Sequence, residues 1–198
     1  MIKKLKHKNE IDEEKVIHIL TLDQLAKGSN IDEFLIKGMA EYSEFTIEFY
    51  EVVGDILEEI GFSKVSVTRD GDTNNRMDAI IIDDQRSIPI EIKSPKEINY
   101  INIKSIRQAL ENKIVLLSRK FYPTEKEVTS LAIGFNYPND RSGVNEAIND
   151  IYETFNISIG IISFKTLLKL FYEKRVNNKR IDLESIYYLK GRLDDKKT

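Results

Sequence analysis

Residues 76–93 read RMDAIIIDDQRSIPIEIK. Two isoleucine-rich runs, from about Met77 to Asp83 and from Ile88 to Lys93, flank a polar connection, the pattern of two neighbouring strands joined by a turn. Side chains alternate along a strand, so Ile88, Ile90 and Ile92 point to one face while Pro89, Glu91 and Lys93 point to the other. A two-residue turn at Asp84 and Gln85 sets Asp78 opposite Glu91, and a four-residue loop from Asp84 to Ser87 sets it opposite Lys93. A three-residue loop turns Asp78 away unless a bulge restores the register. An even connection therefore gathers two acids and a lysine on one face.

Those residue types suit a divalent cation held beside a phosphodiester. Mg²⁺ takes oxygen ligands and keeps several waters, so one or two carboxylates and a substrate phosphate suffice. Such a cation acidifies a water and stabilises charge on phosphoryl oxygens. A lysine two residues beyond the second acid can orient or deprotonate that water, or neutralise developing charge. The competing reading is the salt-bridged, exposed face of an ordinary hairpin. A Glu-x-Lys triplet is unspecific by itself, since Glu13-Glu14-Lys15 and Glu111-Asn112-Lys113 repeat it. The first of these lies in a polar arm and the second on a helix, where positions i and i+2 do not face each other.

Outward from this hairpin the chain reads as one α/β domain. Residues 1–30 look like a peripheral arm, and Ser29 or Asn30 can cap a helix that starts near Ile31. A helix from about Ser43 to Ile60 stops at Gly61, with Phe45, Phe49, Val52, Val53, Ile56, Leu57 and Ile60 on one stripe. A short strand follows at Lys64–Thr68, then a turn-rich segment from Arg69 to Asn75. Beyond Ser94-Pro95, a second long helix spans about Asn102 to Phe121, with Ile103, Ile106, Leu110, Ile114, Leu117 and Phe121 predicted as its core face. A strand at Val128–Phe135, a helix at Ser142–Phe155, a buried strand at Ile157–Ser163 and a helix capped by Ser163 complete the pattern. A last short helix begins near Asp182, and residues 191–198 read as a frayed tail. The order predicts a central mixed sheet with helices on both faces.

Composition limits the functional classes. The 198 residues are 41% hydrophobic and 32% charged, an ordinary globular balance with a length suited to one domain. Without cysteine the chain has no disulfide, zinc finger or thiol nucleophile. No signal-peptide core follows the basic start and no apolar run is long enough to cross a membrane, so a cytoplasmic protein is expected. His7 and His18 are too few and too peripheral for a histidine-metal centre. A net charge of −3 disfavours unaided binding to nucleic acid. Basic groups nevertheless cluster at Lys3–Lys8, at Lys113 with Arg119 and Lys120, and at Lys174, Arg175, Lys179 and Arg180; each cluster is a solvated face or a DNA contact.

The Asp78 hairpin and the Glu91-Ile92-Lys93 strand resemble the core of the PD-(D/E)xK nuclease superfamily. The resemblance covers roughly residues 43–135: a helix ending in Gly61-Phe62, a short strand, the hairpin, the Glu-x-Lys strand and a covering helix. Met77 stands where the family's name expects proline. Ile157 to Phe171 also looks like the closing strand and helix of type IIS restriction-enzyme cleavage domains. The resemblance implies a restriction endonuclease-like fold over residues 31–190, with Asp78 and Glu91 as metal ligands and Lys93 completing the catalytic set. Family members often add a glutamate from the first helix, for which Glu48 is the best candidate; a solvated boundary acid is the alternative. Gln108 is similar to a glutamine on the covering helix of some relatives, although the predicted stripe leaves it exposed. The implied cofactor is Mg²⁺, with Mn²⁺ able to substitute, and the implied substrate is double-stranded DNA. One active site per chain implies a homodimer or a separate recognition subunit for double-strand cutting. The remaining alternatives are a structure-selective resolvase or repair nuclease and a non-catalytic DNA-binding or assembly protein on the same fold.

Overall fold

The computed structural model describes residues 15–68, 77–119 and 122–193. Six strands form one mixed sheet in the order β1 (Val65–Val67), β2 (Ala79–Ile81), β3 (Ile88–Lys93), β4 (Ser130–Gly134), β5 (Ile159–Ser163) and β6 (Gly191–Arg192). The pairs β1–β2 and β2–β3 are antiparallel, whereas β3, β4, β5 and β6 run parallel. The four parallel strands thus end along one common edge.

Helices cover both faces. Helix α1 (15–26) and helices α2 (Ile31–Glu41), α3 (Ile47–Ile60) and α6 (Phe164–Arg175) share the larger core with Ile90, Ile92, Leu131, Ile133 and Ile162. Helices α4 (Ile103–Ser118) and α5 (Val144–Phe155) bury Ile106, Ala109, Ile148 and Ile151 against Ala132, Ile159 and Ile161 on the opposite face. A short helix, α7 (Glu184–Tyr187), precedes β6. Leu22 and Ala26 are buried in the larger core, so α1 packs as an integral helix within the segment expected to be an arm.

Local signals explain several boundaries. The Asn30 side chain accepts from the Glu33 amide, and the Glu33 carboxylate accepts from the Asn30 amide, a reciprocal cap that starts α2. Helix α3 ends at Gly61, whose φ of 128° is a left-handed-side conformation that favours glycine. Gly54, midway along α3, allows close approach to the sheet, because a Cβ there would lie 2.6 Å from Val67.

Two sequence expectations need correction. Gly191 and Arg192, expected in a frayed tail, pair in parallel with Gly160 and Ile161, and Leu193 is buried beside them. A two-residue strand carries no periodic signal, and its order comes from the open edge of β5. Helix α4 buries a wider face than its predicted stripe. Ile106 is buried and Ile103, Leu110 and Leu117 pack against the smaller core as expected. Ile114 is exposed, however, Phe121 lies outside the described residues, and Ser105, Ala109, Asn112, Lys113 and Leu116 are also buried.

Lys113, expected in a surface basic cluster, is 0% exposed. Its Nζ donates to Thr124 Oγ1 at 2.8 Å and to the Glu125 carbonyl at 2.5 Å, tying the segment before β4 to the helix. Burial holds its pKa down to about 8 against the opposing pull of Glu127 and Glu125. A lysine whose folded pKa is depressed contributes stability that is complete above the unfolded pKa and lost as pH falls through the folded one. Denaturant titrations should therefore show stability rising by up to about 3 kcal/mol between pH 8 and 10.5 relative to Lys113→Met, in which that increment vanishes.

Candidate active site

Strand β2 pairs with β3 in the register Ala79–Ile90, Ile80–Pro89 and Ile81–Ile88. One step further along this ladder, Asp78 stands across from Glu91 on the α4 side of the sheet. This is the parity of an even connection. The connection is shaped by Asp83, whose Oδ1 accepts from the amides of Gln85 and Arg86 at 3.0 and 2.9 Å.

Strand β2 begins only at Ala79, so the inner edge of β3 beyond that point lacks a backbone partner. The Asp78 carboxylate fills the gap: its Oδ2 accepts from the Ile92 amide at 2.8 Å. Glu91 is only 3% exposed, and its Oε1 lies 2.7 Å from Lys93 Nζ. Its Oε2 accepts from Asn112 Nδ2 at 3.1 Å. The contact to Lys93 is close but not aligned as a hydrogen bond, leaving Glu91 Oε1 a buried acceptor without a hydrogen-bonding donor. The structure thus brings Asp78, Glu91 and Lys93 together.

A third carboxylate joins them. Glu97, in the turn after β3, accepts through Oε2 from the Tyr50 hydroxyl at 2.7 Å and from the Ser94 amide and hydroxyl at 3.0 Å each. Its negative charge acts on both Asp78 and Lys93. The sequence carried a sign of this turn in Ser94-Pro95-Lys96-Glu97, a serine followed three residues later by glutamate. Glu48 is exposed in the first turn of α3, and the side chain of that helix that reaches the cluster is Tyr50.

Helix α4 supplies polar groups from above. Asn112 holds Glu91, and Gln108 lies one turn earlier on the same helical face. Gln108 is half-buried, and its Oε1 is buried without a hydrogen-bond partner among the described residues, contrary to the exposed position expected for it. The aliphatic pattern of α4 concealed both amides.

Against protein-family models, curated proteins and solved structures alike, the chain finds no match. The chemistry of the cluster therefore rests on its own geometry.

Three carboxylates surround one ammonium, so the fully ionised cluster carries a surplus of two negative charges. Burial and then the neighbouring Glu91 charge push the Asp78 carboxyl up to about 7, against the lowering effect of the Ile92 amide and Lys93. Burial opposes the Lys93 cation, yet the close contact and charge of Glu91 with the charges of Asp78 and Glu97 raise its pKa above the ordinary value. Lys93 is thereby held as a cation. Burial would raise Glu97, but bonds from Tyr50 and Ser94 and the Lys93 charge hold it below the usual range.

Among the described residues no group of three His, Cys, Asp or Glu side chains is arranged to hold a metal ion. A cation placed here would have the pair Asp78 and Glu91 as its protein donors, and one or two carboxylates suit Mg²⁺ where waters and phosphate oxygens complete its shell. The buried, unaligned Glu91 Oε1 and the surplus of two negative charges both fit a dication.

A carboxyl whose folded pKa is raised contributes stability that is complete below its unfolded pKa and lost as pH rises through the folded one. In chelator, the wild-type protein should lose stability between pH 4 and 7 as Asp78 ionises, and Asp78→Asn should flatten that slope. Thermal melts of the two proteins across that range give the comparison.

Proposed function

We propose that the protein is a Mg²⁺-dependent DNA endonuclease with a restriction endonuclease-like core, in which Asp78 and Glu91 hold the cation and Lys93 serves the reacting phosphate. The observation that carries this reading is the buried Glu91 carboxylate, gripped by Lys93 and Asn112 beside an Asp78 that ionises reluctantly because it is buried and next to the Glu91 charge. An ordinary hairpin surface would leave such groups in water. Here an acid pair is withdrawn from solvent, which is unfavourable unless a cation compensates it.

Each residue has a distinct task in this proposal. Asp78, fixed by the Ile92 amide, and Glu91, fixed by Asn112, present oxygen ligands whose rotamers are set before substrate arrives. When bound, Mg²⁺ supplies an acidified water and positive charge against the phosphoryl oxygens. Lys93 stays protonated, so its part is to stabilise charge on a phosphate oxygen or orient the attacking water, not to act as the resting base. Glu97 and Tyr50 brace the end of β3 from the opposite side, and Glu97 adds to the field that keeps Lys93 charged. The same arrangement on one face also fits a resolvase or repair nuclease. The surplus of acids over bases in the whole chain, with a net charge of −3, favours a cleavage unit that takes part of its DNA affinity from a second copy or a recognition subunit.

The test is conversion of supercoiled plasmid in Mg²⁺. Wild type is expected to nick or linearise the plasmid, with Asp78→Ala, Glu91→Gln and Lys93→Ala each lowering the rate by at least about a hundredfold. Glu97→Gln should lower it by only about tenfold while shifting the pH profile, because Glu97 acts through Lys93. Wild-type and Asp78→Ala protein with equal activity would sink the assignment.

A further inference from the structure

The carboxyl edge of the parallel strands carries a second polar feature, separate from the cluster around Glu91. A cleft of about 330 Å³ lies between α2 and the start of α6, with Tyr137, Ser163, Lys165, Thr166, Lys169 and Arg192 in its lining. Its floor is a chain of hydroxyls: Ser163 Oγ is 3.1 Å from Thr166 Oγ1, which donates to the Tyr137 hydroxyl at 3.1 Å. Tyr137 in turn donates to the Leu193 carbonyl at 3.1 Å. The Arg192 guanidinium lies 3.9 Å over the Tyr137 ring, which restrains it beside that floor. Asp32 is the acid of the lining and faces Lys165 and Arg192, while the Lys169 charge also acts on Glu173 of its own helix, so the lining is net positive.

Several other basic groups are committed elsewhere. Lys113 is buried, Arg175 pairs with Asp23 and Glu59, and Lys179 pairs with Glu173. The cluster around Glu91, with its excess of carboxylates, repels a phosphate backbone until a cation is bound. A polyanionic substrate therefore needs positive charge at another point on the same surface.

The sheet sets the distance between the two features. Lys93 is in register with Gly134, and Gly134 with Ser163, so the catalytic lysine and the cleft residue lie in one row across three strands. Two interstrand steps span roughly 10 Å. That separation lets one nucleic-acid strand span both features. Ligands of open α/β sheets gather at the carboxyl ends of the strands, where both features lie.

We propose that this cleft is a phosphate subsite for the DNA backbone, on the same strand edge as Asp78, Glu91 and Lys93. The inference rests on the nuclease reading for its substrate, while the binding itself is open to direct measurement. Lys165 and Arg192 supply the charge, and the hydroxyl chain, whose protons run from Ser163 through Thr166 and Tyr137 to the Leu193 carbonyl, fixes the floor between them. Contacts of this kind fix position on the strand without reading its sequence.

Fluorescence anisotropy of a labelled DNA duplex, with the full chain and Ca²⁺ in place of Mg²⁺, tests the subsite. The double variant Lys165→Ala, Arg192→Ala is expected to bind about tenfold more weakly, with a log–log salt slope shallower by about two. The control Lys179→Ala, Arg180→Ala removes equal charge beyond the far end of α6 and should bind as wild type does. All four side chains belong to exposed residues, and circular dichroism melts verify that each variant is folded. Unchanged affinity and slope in the cleft variant, an equal loss in the control, or no binding by wild type would each overturn the subsite. Tight displacement of the duplex by inorganic phosphate at constant ionic strength would overturn its assignment to the backbone, as would cleft-dependent binding of duplex RNA but not DNA. Plasmid cleavage is scored separately. Cleft-dependent binding without cleavage keeps the subsite and removes the nuclease reading, and cleavage indifferent to the cleft variant does the reverse.

Discussion

A carboxylate buried on a central strand constrains much of this structure. Glu91 is 3% exposed on β3, between β2 and β4, where an ionised acid without partners would be strongly unfavourable. Lys93, two residues further along the same face, supplies charge, and Asn112 supplies a hydrogen bond from the helix above. That demand accounts for Asn112 on the buried face of α4. The helix is anchored there by Ser130, whose hydroxyl donates to the Ala109 carbonyl at 2.7 Å and so links α4 to β4.

The late start of β2 has a matching consequence. Because the ladder ends at Ala79, the Ile92 amide would be left without a strand partner, and the Asp78 side chain takes that place. The same bond fixes the acid beside Glu91. A backbone requirement and a chemical one are thereby met by one residue, while the mutual repulsion of the acids leaves the pair short of positive charge. Glu97 and Tyr50 add a brace from outside the hairpin, so the end of β3 is held from two elements distant in sequence.

The parallel half of the sheet organises the rest of this edge. Strands β3, β4, β5 and β6 end together, which aligns Lys93 with Ser163 and brings Arg192 and Tyr137 beside the start of α6. An acid-rich cluster and a base-rich cleft on one edge form opposite electrostatic surroundings within a few strand spacings. For a protein with a net charge of −3, this local separation matters more to an anionic partner than the overall balance.

By itself the sequence determined the features governed by local rules. Alternation along β3 separated Ile88, Ile90 and Ile92 from Glu91 and Lys93 because side chains repeat every two residues, whereas the length of the connection, and with it the face of Asp78, was decided by the pairing of β2 with β3. Ser29 or Asn30 and the terminal Gly61 likewise marked helix ends through short-range capping, and the reciprocal bond with Glu33 selects Asn30. Only the tertiary structure decided how far around α4 the buried face extends, since hydrophobic periodicity cannot show that Asn112 and Lys113 will find polar partners on remote segments. The Glu97–Tyr50 bond, the pairing of β6 and the cleft beside α6 were hidden for the same reason. Each joins residues tens of positions apart, and nothing in either local segment specifies the other until the sheet brings them together.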